Sequence, residues 1–195
     1  MRTMVTEPLT PWPPVLGKPV TESLSVAFAG FDGAAARLAE VMSRTATVDS
    51  PSPDLVAGNV ELSAALWFAR TAVEQIGKRE WPGGWDAFLG QLLPSEDTLL
   101  LAFGWARNHA GHALARVAAH HSGLLPGDDL YPSDDLYPQG ARWVWAQRDD
   151  LPAGRRDTDG EGAYDRTLSG ADLQPSIQAM ANWLRKTDGG LVSRP

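Results

Sequence analysis

All four histidines of the chain, His109, His112, His120 and His121, fall in one short stretch, and the first two belong to the string Arg107-Asn108-His109-Ala110-Gly111-His112. An imidazole titrates near neutral pH and can take or give a proton. A guanidinium stays charged and offers a planar fork of donors to a phosphate or carboxylate. No Asp or Glu occurs between Asp97 and Asp128 although the net charge is −7, so neither Arg107 nor Arg116 is neutralised by a sequence neighbour. A cationic, titratable patch on an acidic protein points to an anionic substrate or partner.

Composition narrows the classes of protein that could carry this patch. With 195 residues, 43% of them hydrophobic, the chain can build one core with appendages. Eight tryptophans supply core volume and amphipathic contact surface. The lack of cysteine excludes a disulfide framework, a thiolate nucleophile and Cys-ligated zinc. The acidic balance argues against a general nucleic-acid coating protein, which would need many Lys and Arg to neutralise phosphates. It leaves room for an enzyme that touches RNA at a small basic site. There is no run of about 18 apolar residues of the kind that spans a membrane. Pro8, Pro11, Pro13 and Pro14 stand where a signal peptide would need an apolar helix. The expectation is a cytoplasmic protein with no membrane partner.

Positioning the patch falls to helices. Residues 1–20 read as an extended Pro-rich arm, and 21–195 as a single helical domain. Thr21 is a suitable N-cap for a helix over Glu22 to Ala46, with Leu24, Phe28, Phe31, Ala35, Leu38 and Met42 at three- and four-residue steps. Ser50-Pro51-Ser52-Pro53 reads as a loop, and Asp54 opens a second helix to about Lys78. In that helix Val56, Val60, Ala64, Trp67, Ala72 and Ile76 trace an apolar stripe that suggests a central position. Trp81-Pro82-Gly83-Gly84-Trp85 breaks it, and a short helical piece is expected over Asp86 to Leu93. Ser95, followed by Glu96 and Asp97, looks like the cap of a helix that runs to His121, ends at Gly123 and carries the histidines. Residues 122–160 form a long irregular loop containing the acidic repeat Asp128 to Pro132 and Asp134 to Pro138, with Arg142-Trp143-Val144-Trp145 as a short strand or an aromatic clamp. A C-terminal helical segment covers 162–187, interrupted at Ser169-Gly170. The expected class is all-α, an up-and-down bundle of four to five helices with one long loop.

Arg107 to His112 has the form R-N-x3-H and resembles the R-x4-6-H motif of the HEPN superfamily, and the placement of the motif on a late bundle helix is similar too. The resemblance covers roughly residues 21–121 in architecture and six residues in motif. It implies a small helical dimer and a metal-independent endoribonuclease of toxin–antitoxin or antiphage type. By position, Arg107 and His112 would be the catalytic pair and Asn108 the polar residue that accompanies them. His109 and Arg116 would assist in substrate binding, and no cofactor would be required. Implied partners are RNA, a second copy of the chain and a cognate antitoxin protein. Where many of the toxins carry the tyrosine of an H-x-Y extension this chain has Leu114, so control by modification of that tyrosine does not carry over.

The chemistry suits these residue types. RNA is cleaved without a metal when its 2′-hydroxyl is deprotonated while the phosphate and the leaving oxygen are stabilised, a task that His and Arg can share. Five residues on an ideal helix turn by about 140°, so Arg107 and His112 converge only across a two-fold axis or at a local break near Gly104 or Gly111. Other readings of the cluster are blander. His109 and His112 have the spacing of helical metal ligands, but no carboxylate or thiolate accompanies them. His120 and His121 suit the capping of a helix C-terminus. Trp105 reads as core or interface. The alternative function is a non-catalytic helical dimer that binds RNA, a nucleotide or a protein partner as an adaptor or regulator.

Overall fold

A computed structural model of the chain describes residues 22–45, 52–80, 83–112, 118–121, 142–152 and 157–192. The expected N-terminal arm, the acidic repeat, Leu114 and Arg116 lie outside the described residues. The fold is mostly helical, with one two-stranded ribbon. Helix α1 covers Glu22–Thr45 and α2 covers Ser52–Gln75, followed by a π-helical turn over Ile76–Glu80. A short α3, Gly84–Leu89, precedes α4, Pro94–His112. Strands β1 (Ala118–His121) and β2 (Arg142–Trp145) pair antiparallel, with Ala118 opposite Trp145 and His121 opposite Arg142. A 3-10 turn at Arg148–Asp150 leads to α5 (Thr158–Thr167) and α6 (Leu173–Val192).

α1 and α2 form an antiparallel hairpin. Arg44 reaches Asp54 at one end, Arg37 pairs with Glu61 at 2.9 Å in the middle, and bare Gly30 lies against the ring of Phe68 further along. Any side chain at Gly30 would collide with that ring, so the glycine lets the two helices approach closely. α4 runs antiparallel to α2 on another side: Gly104 lies beside Arg70, Arg107 beside Trp67, and β1 beyond α4 is tied to Asn59. The core gathers Leu24, Phe31 and Leu38 from α1, Leu62 and Leu66 from α2, Ile76 from the π-helical turn, and Phe103 and Trp105 from α4. Leu173, Met180 and Leu184 complete it from α6.

Several boundaries differ from the sequence expectations, each for a physical reason. α2 starts at Ser52 rather than Asp54, because proline is tolerated in the first turn of a helix, where its missing N–H has no partner to lose. Ser95 does not cap α4; the helix begins at Pro94 and the Glu96 carboxylate reaches back to accept from the Leu93 N–H at 3.0 Å. α4 is described over Pro94–His112 and does not run to His121, since His120 and His121 belong to β1, paired opposite Trp143 and Arg142. What draws that segment out of the helix is a double anchor. β2 supplies a strand partner, and Asn59 on α2 binds Ala118 in both directions, accepting from its N–H at 3.0 Å and donating to its carbonyl at 3.1 Å. On its other edge β2 binds the α5–α6 turn, where Trp145 N–H donates to Ala171 O and Gly170 N–H to Trp145 O. Gly170 has φ of +68°, so the interruption expected at Ser169-Gly170 falls where the chain needs left-handed backbone.

The stripe read on α2 is also corrected. Its inward face is Leu62, Ala65, Leu66, Ala69, Ala72 and Val73, continued by Ile76 of the π-helical turn, whereas Val56, Val60 and Trp67 are exposed. A helix that is apolar on most of its circumference carries no phase signal, and its neighbours decide which side they cover.

Candidate functional site

α4 separates two environments. Trp105 and His109, one turn apart, face inward. Their rings stack with centroids 3.7 Å apart, and Trp105 lies 4.5 Å from Tyr164 of α5. Tyr164 meets Trp145 edge-on, and Trp145 meets Phe103 likewise, so an aromatic cluster fixes the inner side of the helix. Its polar tips are satisfied: Tyr164 OH donates to Ala146 O at 2.8 Å and Trp145 Nε1 donates to Ser176 Oγ at 2.7 Å. His109 Nδ1 lies 3.1 Å from Trp105 O. A carbonyl only accepts, so this contact requires the Nδ1–H tautomer.

The outer side of α4 carries Gly104, Arg107, Asn108 and Gly111. The Arg107 guanidinium carbon lies 4.1 Å from the centroid of the Trp67 ring, a close cation–π stack that joins α4 to α2. Arg107 Nη1 also donates to Asn108 Oδ1 at 3.1 Å. The guanidinium thus lies over an indole that is itself half exposed, with its Nε buried and the Asn108 amide beside it at the surface. One turn further along α2, Arg70 packs beside Gly104 and lies 5.6 Å from the Trp85 ring, which also receives Lys78 at 5.8 Å. Glu74 bridges Arg70 at 2.7 Å and Lys78 at 3.4 Å. Partial burial by itself would raise the Glu74 pKa, but the two cations hold it below its ordinary value, so the carboxylate is charged at neutral pH.

The sequence-derived site residues are therefore distributed unevenly. Arg107 and Asn108 meet on the outer face of α4. His109 is only 4% exposed and belongs to the aromatic core, where it fixes the helix rather than facing an anionic ligand. His112 is the last residue of α4, and Arg116 lies outside the described residues. α4 is unbroken through Gly104 and Gly111, so positions 107 and 112 stay about 140° apart around its axis. Trp105, considered for an interface, is core at 5% exposure. Among the described residues no three His, Asp or Glu side chains cluster so as to hold a metal ion, and no helix is long and apolar enough to cross a membrane.

Sequence reasoning misses Trp67 as a partner of Arg107 because its spacing from Val60 and Ala64 places it on the apolar stripe of α2. A signal was available in Trp67, Arg70, Lys78, Arg79, Trp81 and Trp85, where indoles flank a run of cations.

Comparison of the chain with protein-family models, with curated proteins and with solved structures gives no match.

Proposed function

We propose that the chain is a metal-independent endoribonuclease of HEPN type that acts as a toxin or antiphage effector. The observation that carries this reading is the pairing of partly exposed Arg107 with Trp67 and Asn108 on the outer side of α4. Holding a guanidinium over an indole lowers the rotamer entropy that would otherwise be lost when it grips a phosphate. Arg107 would stabilise the charge that develops on the phosphate. His112 would move the proton of the attacking 2′-hydroxyl or of the leaving oxygen. Asn108 would hold the guanidinium in register.

Because α4 has no break between positions 107 and 112, one copy does not gather both residues about a single phosphate. A two-fold dimer of the chain with its groove between two copies of α4 does so by symmetry. Exposed Asn108 and Gly111, with Val56 and Val60 on the neighbouring stretch of α2, offer a surface for that contact. Incubation of the purified protein with tRNA, mRNA and rRNA tests the reading. Cleavage that disappears in both Arg107→Ala and His112→Ala, with the helical circular dichroism retained, supports it. Intact RNA in every assay replaces it with the non-catalytic dimer that binds RNA, a nucleotide or a protein partner.

A further inference from the structure

Trp67 and Trp85 sit on the outer side of the α2–α4 junction, and each carries a cation on its face: Arg107 on Trp67, Arg70 and Lys78 on Trp85. Arg70 is one turn from Trp67, so the two indole–cation groups are consecutive along α2. Their positions are set by the fold. Trp85 is seated on the bare backbone of Gly77, where any Cβ would come within 2.5 Å of its ring, and it packs at 5.5 Å from buried Phe88. Trp67 remains 51% exposed, against the usual tendency of tryptophan to be covered, so about half of the indole stays open with the Arg107 guanidinium over its ring.

We propose that the strip running from Arg107 and Trp67 through Arg70 to Trp85 and Lys78 binds a short segment of single-stranded RNA and leads it to Arg107. The proposal rests on the reading of Arg107 as the phosphate-binding residue of the ribonuclease and adds the path by which the strand arrives. The indole surface that the cations leave open can stack unpaired bases of any sequence, and Arg and Lys follow the backbone between them. The strip spans about eleven residues of helix, or about 16 Å, room for only a short stretch of strand. A duplex hides its bases from such indoles. Among the described contacts three cations, Arg107, Arg70 and Lys78, stand with one carboxylate, Glu74, and that balance on an acidic protein suits a polyanion. A second copy seated here would set Arg70 and Lys78 against like charge. The apolar residues that a second copy would prefer, Val56 and Val60, lie toward the other end of α2.

The test uses the His112→Ala protein, so that binding is read without cleavage, and fluorescein-labelled octauridylate followed by anisotropy. Octauridylate should bind more tightly than a labelled RNA duplex of the same length. Trp67→Ala should weaken it at least about tenfold, and Trp67→Phe should retain most of the affinity. Joint replacement of Arg70 and Lys78 by Ala should flatten the dependence of log affinity on log salt by roughly 1.4, two released counterions on a single strand. Unchanged binding by Trp67→Ala overturns the strip, as does preference for the duplex. A dimer that Trp67→Ala dissociates without any change in RNA affinity also overturns it and makes this face an interface between copies. The two readings fail separately. Wild-type cleavage that Trp67→Ala leaves untouched sinks the strip alone, whereas Trp67-dependent binding by a wild-type protein that never cuts RNA sinks the ribonuclease alone.

Discussion

Arg107 of α4 and Trp67 of α2 stack at 4.1 Å, forty residues apart in sequence, and the contact fixes the one charged group of the R-N-x3-H string that the helix turns outward. Aromatic support for a guanidinium is worth on the order of 0.5–1 kcal/mol at exposed sites and more when a ligand desolvates it. The stack is thus a device for orientation more than for stability. Arg107→Lys keeps the charge but loses the planar fork, and it should lower RNA cleavage by at least about tenfold with little change in melting temperature. Cleavage by Arg107→Lys at the wild-type rate would show that a point charge is enough.

Arg107→Ala and His112→Ala should each reduce cleavage by about 10² to 10⁴-fold, the usual share of one general acid–base group or one charge stabiliser. His109→Ala belongs to a different class. Its ring is buried against Trp105, so its loss should appear as a fall in stability of about 1–3 kcal/mol. Activity per folded molecule should stay close to wild type. Thermal melts alongside initial rates separate the two effects.

Chelation with EDTA should leave the rate unchanged, and the products should carry a 2′,3′-cyclic phosphate and a 5′-hydroxyl, the signature of attack by the neighbouring 2′-hydroxyl. End-group analysis by mass spectrometry reads this directly. Zinc or iron bound in stoichiometric amount, with activity lost on its removal, would replace the mechanism with a metal-dependent one.

Sedimentation at micromolar concentration should give about twice the 21.0 kDa of one chain. Val60→Glu should shift the protein toward monomer and lower cleavage in proportion, since Val60 is exposed on the stretch of α2 assigned to the second copy. A fully active monomer would leave positions 107 and 112 to be brought together within one chain, against the unbroken course of α4.

Two internal hydrogen-bonding groups give stability predictions that do not depend on any activity. Asn59→Leu orphans both the N–H and the carbonyl of Ala118 and should cost about 2–4 kcal/mol, lowering the melting temperature by roughly 4–16 °C. Burial pushes the Tyr164 hydroxyl well above its ordinary range, so the folded state keeps that proton after the unfolded chain has released it near pH 10. The unfolded state then binds fewer protons, and stability must fall as pH rises above about 10, by about 1.4 kcal/mol per pH unit from this group. Tyr164→Phe should remove that slope while losing the bond to Ala146 O. Denaturant titrations at pH 8 to 11 give both quantities.

The motif, its helix, the hairpin of α1 and α2 and the interruption at Ser169-Gly170 were legible in the sequence because each depends on neighbours within a turn or two. Helical periodicity needs only residues three and four apart, and a left-handed glycine needs only its own backbone. Tertiary structure decided the rest. α4 does not reach His121 because residues 118–121 find β2 and Asn59, partners that lie more than twenty residues away in either direction and leave no local trace in the Ala- and His-rich sequence. α2 turns Trp67 outward because its circumference is apolar nearly all round, so the packing of α1 and α4 on two of its sides fixed the third as surface. Pairing and face selection are non-local by nature: each is set by the summed contacts of elements that meet only when the chain is folded.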